Sequence, residues 1–108
     1  MRRASENLHD RLELLGAEMD MLPVTATFAD LVIAHGIWNL AASGDQFRRA
    51  VREAARAAKP GAGLFVFTFS RTTLPPGTRP VAGEPFVFTE FSGQPQCFLT
   101  DAQLVAEL

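Results

Sequence analysis

The chain has 108 residues and a mass of 11.8 kDa; 47% of its residues are hydrophobic and 20% charged. That length holds one domain, 1–108, with a thin core, because a chain this size buries only about two-thirds of the surface its unfolded form exposes. A net charge of −2 and a pI of about 5.6 argue against nucleic acid or an anionic membrane surface as partner.

The charged start, Met1 to Asn7, stands where a signal peptide needs an apolar stretch. No apolar run approaches the roughly 20 residues that span a bilayer. Cys97 is the single cysteine, which excludes an intrachain disulfide and a cysteine metal cage. The expectation is a cytoplasmic protein in a reducing compartment.

Residues 3–9 can form a short helix, although Asn7 and His9 are weak formers. Leu12 to Glu18 alternates loosely and reads as a strand. Pro23 and the small residues Thr25, Ala26 and Thr27 break the pattern. Leu31-Val32-Ile33-Ala34 is apolar throughout, as are strands covered on both faces of a parallel sheet.

A helix over 44–58 is the clearest element. Ser43 precedes Gln46 by three residues, a capping-box spacing, and Asp45 puts negative charge in the first turn. Phe47, Ala50, Val51, Ala54 and Ala58 share one face. Its inward residues are mostly alanine, so helix and sheet should approach closely. Arg49, Arg52, Glu53 and Arg56 fall outside that face. Four arginines on one helix suit a phosphate patch or a solvated outer surface, and a covered sheet favours the second. Lys59-Pro60-Gly61 ends the helix.

Leu64 to Phe69 is a second strand apolar on both faces, so strand, helix and strand predict a right-handed βαβ crossover. The segment 70–97 holds five of the seven prolines. It reads as a long ordered excursion or lid, since Phe86-Val87-Phe88 and Phe91 are too apolar for a solvated tether. Thr100 and Gln103 repeat the capping-box spacing and start a last helix.

Among chemistry-bearing residues, His9 and His35 lack partners at metal-ligand spacing, and no HExxH or CxxC pattern is present. Neither Ser43 nor Ser70 lies in a GxSxG elbow, and GxGxxG and Walker loops are absent. Cys97 reads as an inert thiol rather than a nucleophile. Ala34-His35-Gly36-Ile37-Trp38-Asn39 directly follows the first apolar strand, where open parallel sheets bind ligands. Glu18 would share that edge. Spacing alone leaves two readings of equal weight: a ligand rim, or a core Trp38 with Asn39 forming a turn.

Three segments in order resemble the class I S-adenosylmethionine-dependent methyltransferases, closest to the UbiE-like and type 11 group. They are Ala17-Glu18-Met19-Asp20-Met21-Leu22-Pro23, Phe28-Ala29-Asp30-Leu31-Val32-Ile33-Ala34-His35-Gly36, and Lys59-Pro60-Gly61-Ala62-Gly63-Leu64-Phe65-Val66-Phe67. The family reads GDxxxLPF, FDLVxxxxxLxH and LKPGGxLxV there. The resemblance covers residues 3–70 and implies an α/β, partial Rossmann-like methyltransferase sheet that carries a methyl group to a small-molecule acceptor. It implies that Glu18 accepts from the adenine amino group and that the Met19 amide meets the adenine ring. His35 and Gly36 would line the methionine part, while Trp38 and Asn39 would face cofactor or acceptor. Such enzymes mainly align acceptor, methyl carbon and sulfur, so no catalytic residue is assigned.

The departures are also specific. The family's glycine-rich loop and the acid that holds the ribose are missing, and Ala29 splits the Phe-Asp pair. The resemblance therefore implies a methyltransferase segment cut at both ends, in which two absent strands separate Glu18 from Leu31. Open strand edges in such a segment invite self-association. A non-catalytic remnant that binds a partner chain is the alternative.

Overall fold

Ser43 starts the dominant element. Its hydroxyl accepts the Gln46 amide at 3.1 Å, and helix α1 runs from Gly44 to Ala57. The Gln46 side chain reaches back to the Ala42 amide at 2.8 Å, one residue earlier than in a standard capping box. Glu84 adds a carboxylate at the Gly44 amide, 2.9 Å away, where the helix dipole favours negative charge. The computed structural model describes residues 12–108, so the helix expected at 3–9 lies outside the described residues.

The molecule is a mixed α/β structure. Strand β1 (Ala29–His35) pairs in parallel with β2 (Ala58–Phe67), and α1 connects them. Ala29 faces Ala58 but Leu31 faces Gly63, so Lys59 to Ala62 bulges out of the ladder. That bulge is where Lys59-Pro60-Gly61 stops the helix; β2 begins one residue before it instead of at Leu64, and ends at Phe67. The C-terminal unit is a short antiparallel pair, β3 (Val87–Phe88) and β4 (Gln96–Cys97), followed by helix α2 (Asp101–Glu107). Both halves of the capping box predicted at Thr100 and Gln103 are formed.

Three expectations need correction. Leu12 to Ala17 is not a strand: only Glu18 and Met21 bridge, and they bridge each other across a turn. A loosely alternating run forms a strand only when a neighbouring ladder takes its amides, and none among the described residues does so. The parallel strands are also not covered on both faces. Val32, Ala34 and Val66 turn toward the core, while Leu31, Ile33, Phe65 and Phe67 are exposed. Finally, the alanines of α1 do not close tightly onto the sheet, and cavities remain on both sides of Ala54.

Much of the buried core comes from the proline-rich segment. Phe86, Val87, Phe88, Cys97 and Phe98 are fully buried with Phe47. Phe98 stacks on Phe69 at 5.6 Å and meets Phe88 edge-on at 6.1 Å, and Phe47 meets Phe86 edge-on at 5.3 Å. The Arg71 guanidinium lies 4.3 Å over the Phe88 ring. Phe91 is exposed. Residues of the segment 70–97 thus pack against α1 and the turn after β1. No helix among the described residues is long and apolar enough to cross a membrane.

Candidate functional site

The Met21 amide donates to the Glu18 carbonyl at 3.1 Å and closes a tight turn. Helix α1 holds that turn through the side chains expected to be free in solvent. Glu53 accepts the Leu22 amide at 2.6 Å, and Arg49 pairs with Asp20 at 3.2 Å. Arg56 donates to the Leu22 and Val24 carbonyls at 3.1 and 2.9 Å. Arg48 instead reaches α2, bidentate on Glu107 at 3.0 and 3.2 Å. The charged side of α1 is therefore a fastening surface, with Arg52 left exposed.

The fastened turn lies beside the carboxyl half of β1, and a cavity of about 250 Å³ separates the two. Ala17, Glu18, Met19 and Leu22 line it from the turn, Ile37 and Trp38 from beyond β1. Ala34, Ala50 and Ala54 also line it, and their small side chains leave the space. Trp38 is buried and meets Phe47 edge-on at 5.9 Å. Glu18 is the one charged group among the lining residues. The lining is otherwise apolar, with the Trp38 indole among it and the exposed Glu18 as its single acidic residue. At about 250 Å³ the cavity lies below the roughly 300–1,000 Å³ of sites that enclose a whole drug-sized ligand.

The structure brings Glu18, Met19 and Trp38 to one cavity, and leaves His35, Gly36 and Asn39 off its lining. His35 alternates to the other face of the sheet from Ala34 and stacks on Phe67 at 4.7 Å. Gly36 turns the chain at φ +67°, a conformation that disfavours other residues, and donates to the Phe67 carbonyl at 2.8 Å. Asn39 is buried in the 3-10 turn Trp38–Leu40, and its carboxamide oxygen has no hydrogen-bond partner among the described residues. Trp38 is therefore a core aromatic that also lines a cavity, and Asn39 is a buried turn residue. Sequence reasoning missed Ile37 and the alanine lining. An alanine-rich inward helix face signals close packing as readily as space, so no local feature marked them.

Burial, then the Glu84 charge, push the Cys97 thiol up to about 12, and its sulfur lies 3.3 Å from the Ala41 carbonyl. It is a protonated donor in the core, not a nucleophile. No family model matches this chain, and no curated protein or solved structure matches it.

Proposed function

We propose that the chain is a cytoplasmic segment of a Rossmann-like S-adenosylmethionine-dependent methyltransferase that acts on a small-molecule acceptor. The single observation that supports this most is the meeting of Glu18, Met19 and Trp38 around one cavity beside the carboxyl half of β1. Glu18 and Met19 belong to the first segment of the resemblance and Trp38 follows two residues after the second, and a parallel β1–α1–β2 unit joins the second to the third. When bound, S-adenosylmethionine supplies a methyl group activated by a positively charged sulfur. The residues present fit its adenine end only: a carboxylate to accept from the amino group and an indole for the ring. Among the described residues the lining offers no second charged group for the ribose or the methionine end, so no transfer step is derived for this chain.

The test uses Trp38, the single tryptophan, as reporter. S-adenosylhomocysteine should quench its fluorescence with an affinity far weaker than micromolar. Glu18→Ala should weaken that binding about tenfold or more, the loss of a charge-assisted hydrogen bond worth about 1.5–3 kcal/mol. Absence of quenching, or binding indifferent to Glu18→Ala, would overturn the proposal.

A second reading, a non-catalytic remnant that works by association, is favoured by a different feature: the uncovered apolar face of the β1–β2 sheet.

A further inference from the structure

We propose that a cavity in the turn after β2 binds a small organic monocarboxylate, with the Arg71 guanidinium holding its carboxylate. This does not depend on what the Glu18 cavity binds. The cavity measures about 310 Å³ and is lined by Arg71, Thr72, Leu74, Pro75, Pro76 and Gly77.

The local sequence makes this cavity rigid. Pro75 and Pro76 each fix a backbone angle, and Gly77 turns the chain at φ +86°. Thr78 closes the turn on the Pro75 carbonyl, with its amide at 3.2 Å and its hydroxyl at 2.7 Å. The Thr78 carbonyl in turn accepts from Arg71 Nη2 at 2.6 Å. The Arg71 amide donates to the Leu99 carbonyl at 2.9 Å. Its guanidinium carbon lies 4.3 Å from the centroid of the Phe88 ring, which is itself fully buried. Backbone, ring and carbonyl hold the guanidinium in place before any ligand arrives, so little ordering cost is left to binding.

Two features select the chemistry of the ligand. The first is charge. Arg48, Arg49 and Arg56 each meet a carboxylate, whereas Arg71 meets none among the described residues. A guanidinium carries five N–H donors in a planar fork that matches a carboxylate, and the Thr78 carbonyl takes one of them. No second basic residue stands in the described lining, which suits a single negative charge better than a phosphate dianion. The second feature is the wall. Leu74, Pro75 and Pro76 set apolar surface beside that charge, and Thr72 adds one hydroxyl. Mostly apolar walls with a few placed polar groups are the pattern of small-molecule sites, which begin at about 300 Å³. A compact aromatic acid meets both features, its ring against the prolines and its carboxylate on Arg71.

Titration of the full chain with benzoate at constant ionic strength, followed by proton–nitrogen correlation spectra, tests this. The Arg71 Nε–H resonance should shift saturably in the millimolar range, the affinity class of so small a ligand. Benzamide, the uncharged isostere, should bind the wild-type protein about tenfold more weakly, a comparison that needs no variant. Arg71→Met keeps an apolar stem over Phe88 and should weaken benzoate binding about tenfold or more. Arg79→Gln removes an exposed arginine outside the lining and should leave binding unchanged. Absence of saturation, benzamide binding as tightly as benzoate, or a well-folded Arg71→Met that binds like wild type would overturn the proposal. So would equal weakening by Arg79→Gln, or displacement of benzoate by equimolar inorganic phosphate, since either would mean diffuse attraction of anions.

Discussion

Glu53 holds the Leu22 amide at 2.6 Å while both its oxygens take the Arg56 guanidinium at 2.8 Å. The two residues are 31 positions apart, and their contact fixes the turn that walls the cavity. The Arg56 hydrogen bonds, then the Leu22 amide, hold the Glu53 carboxyl down at about 2 against an ordinary 4.5. A depressed folded value means that the ionised form favours the folded state. That contribution is present above pH 4.5 and is lost as pH falls toward 2. Chemical denaturation at pH 3 and pH 7 should show wild type losing stability on acidification, and Glu53→Gln should flatten that part of the profile. Parallel profiles for the two proteins would show that the contact does not couple to folding.

Cys97 offers a second chemical readout. A thiol pushed up to about 12 and bonded to the Ala41 carbonyl is protonated at neutral pH and shielded from reagents. Disulfide-exchange labelling at pH 8 should be about a hundredfold slower or more in the folded protein than in denaturant, with the folded rate set by opening of the core. Comparable rates would place Cys97 at the surface.

The elements with local signatures were legible in the sequence. Ser43 and Thr100 bond the amides three residues on, and the apolar positions Phe47, Ala50 and Ala54 face inward. Paired apolar runs around a capped helix gave the parallel unit. What escaped depends on partners far along the chain. Arg49, Glu53 and Arg56 look like a solvated helix face until the turn 20–24 folds against them, about 30 residues away. Leu31 to Ala34 reads as doubly covered because composition reports what a strand tolerates, not what is present to cover it. Leu12 to Glu18 has alternation but no ladder. At the site, the resemblance singles out Glu18, Met19 and Trp38, whereas the cavity they line follows from alanines that no motif marks.

Thr27 sits at φ 54°, left-handed backbone that a β-branched residue adopts at a cost of about 1–2 kcal/mol. Its amide donates to the Arg56 carbonyl at 2.8 Å, which locks the entry to β1. Thr27→Asn keeps that amide and tolerates the conformation. A gain of about 0.5–1 kcal/mol is expected, read as a Tm raised by a few degrees. An unchanged or lower Tm would mean that the Thr27 side chain, whose hydroxyl reaches the Ala26 carbonyl at 2.6 Å, offsets the strain.

Ala54 and Arg52 separate the two sides of α1 by two residues. Ala54 is buried and borders cavities of about 250 and 100 Å³, while Arg52 is exposed. The open space removes the overpacking that a larger side chain would otherwise meet, so the cost of Ala54→Glu rests on its charge. A carboxylate there meets a lining with no cation among the described residues, and Glu18 is the one charged residue of the larger cavity's lining. The expected loss is about 2–4 kcal/mol. Ala54→Met carries similar bulk without charge and should be neutral or stabilising by up to about 1 kcal/mol, because it fills space. Arg52→Glu should cost about 0.5 kcal/mol or less. Thermal melts of the three variants separate volume from charge. If Ala54→Glu melts like Arg52→Glu, Ala54 does not face the sheet, and the β1–α1–β2 packing described above is wrong. If Ala54→Met destabilises as much as Ala54→Glu, the cavities beside Ala54 are closed in solution, and Glu18, Met19 and Trp38 enclose no site.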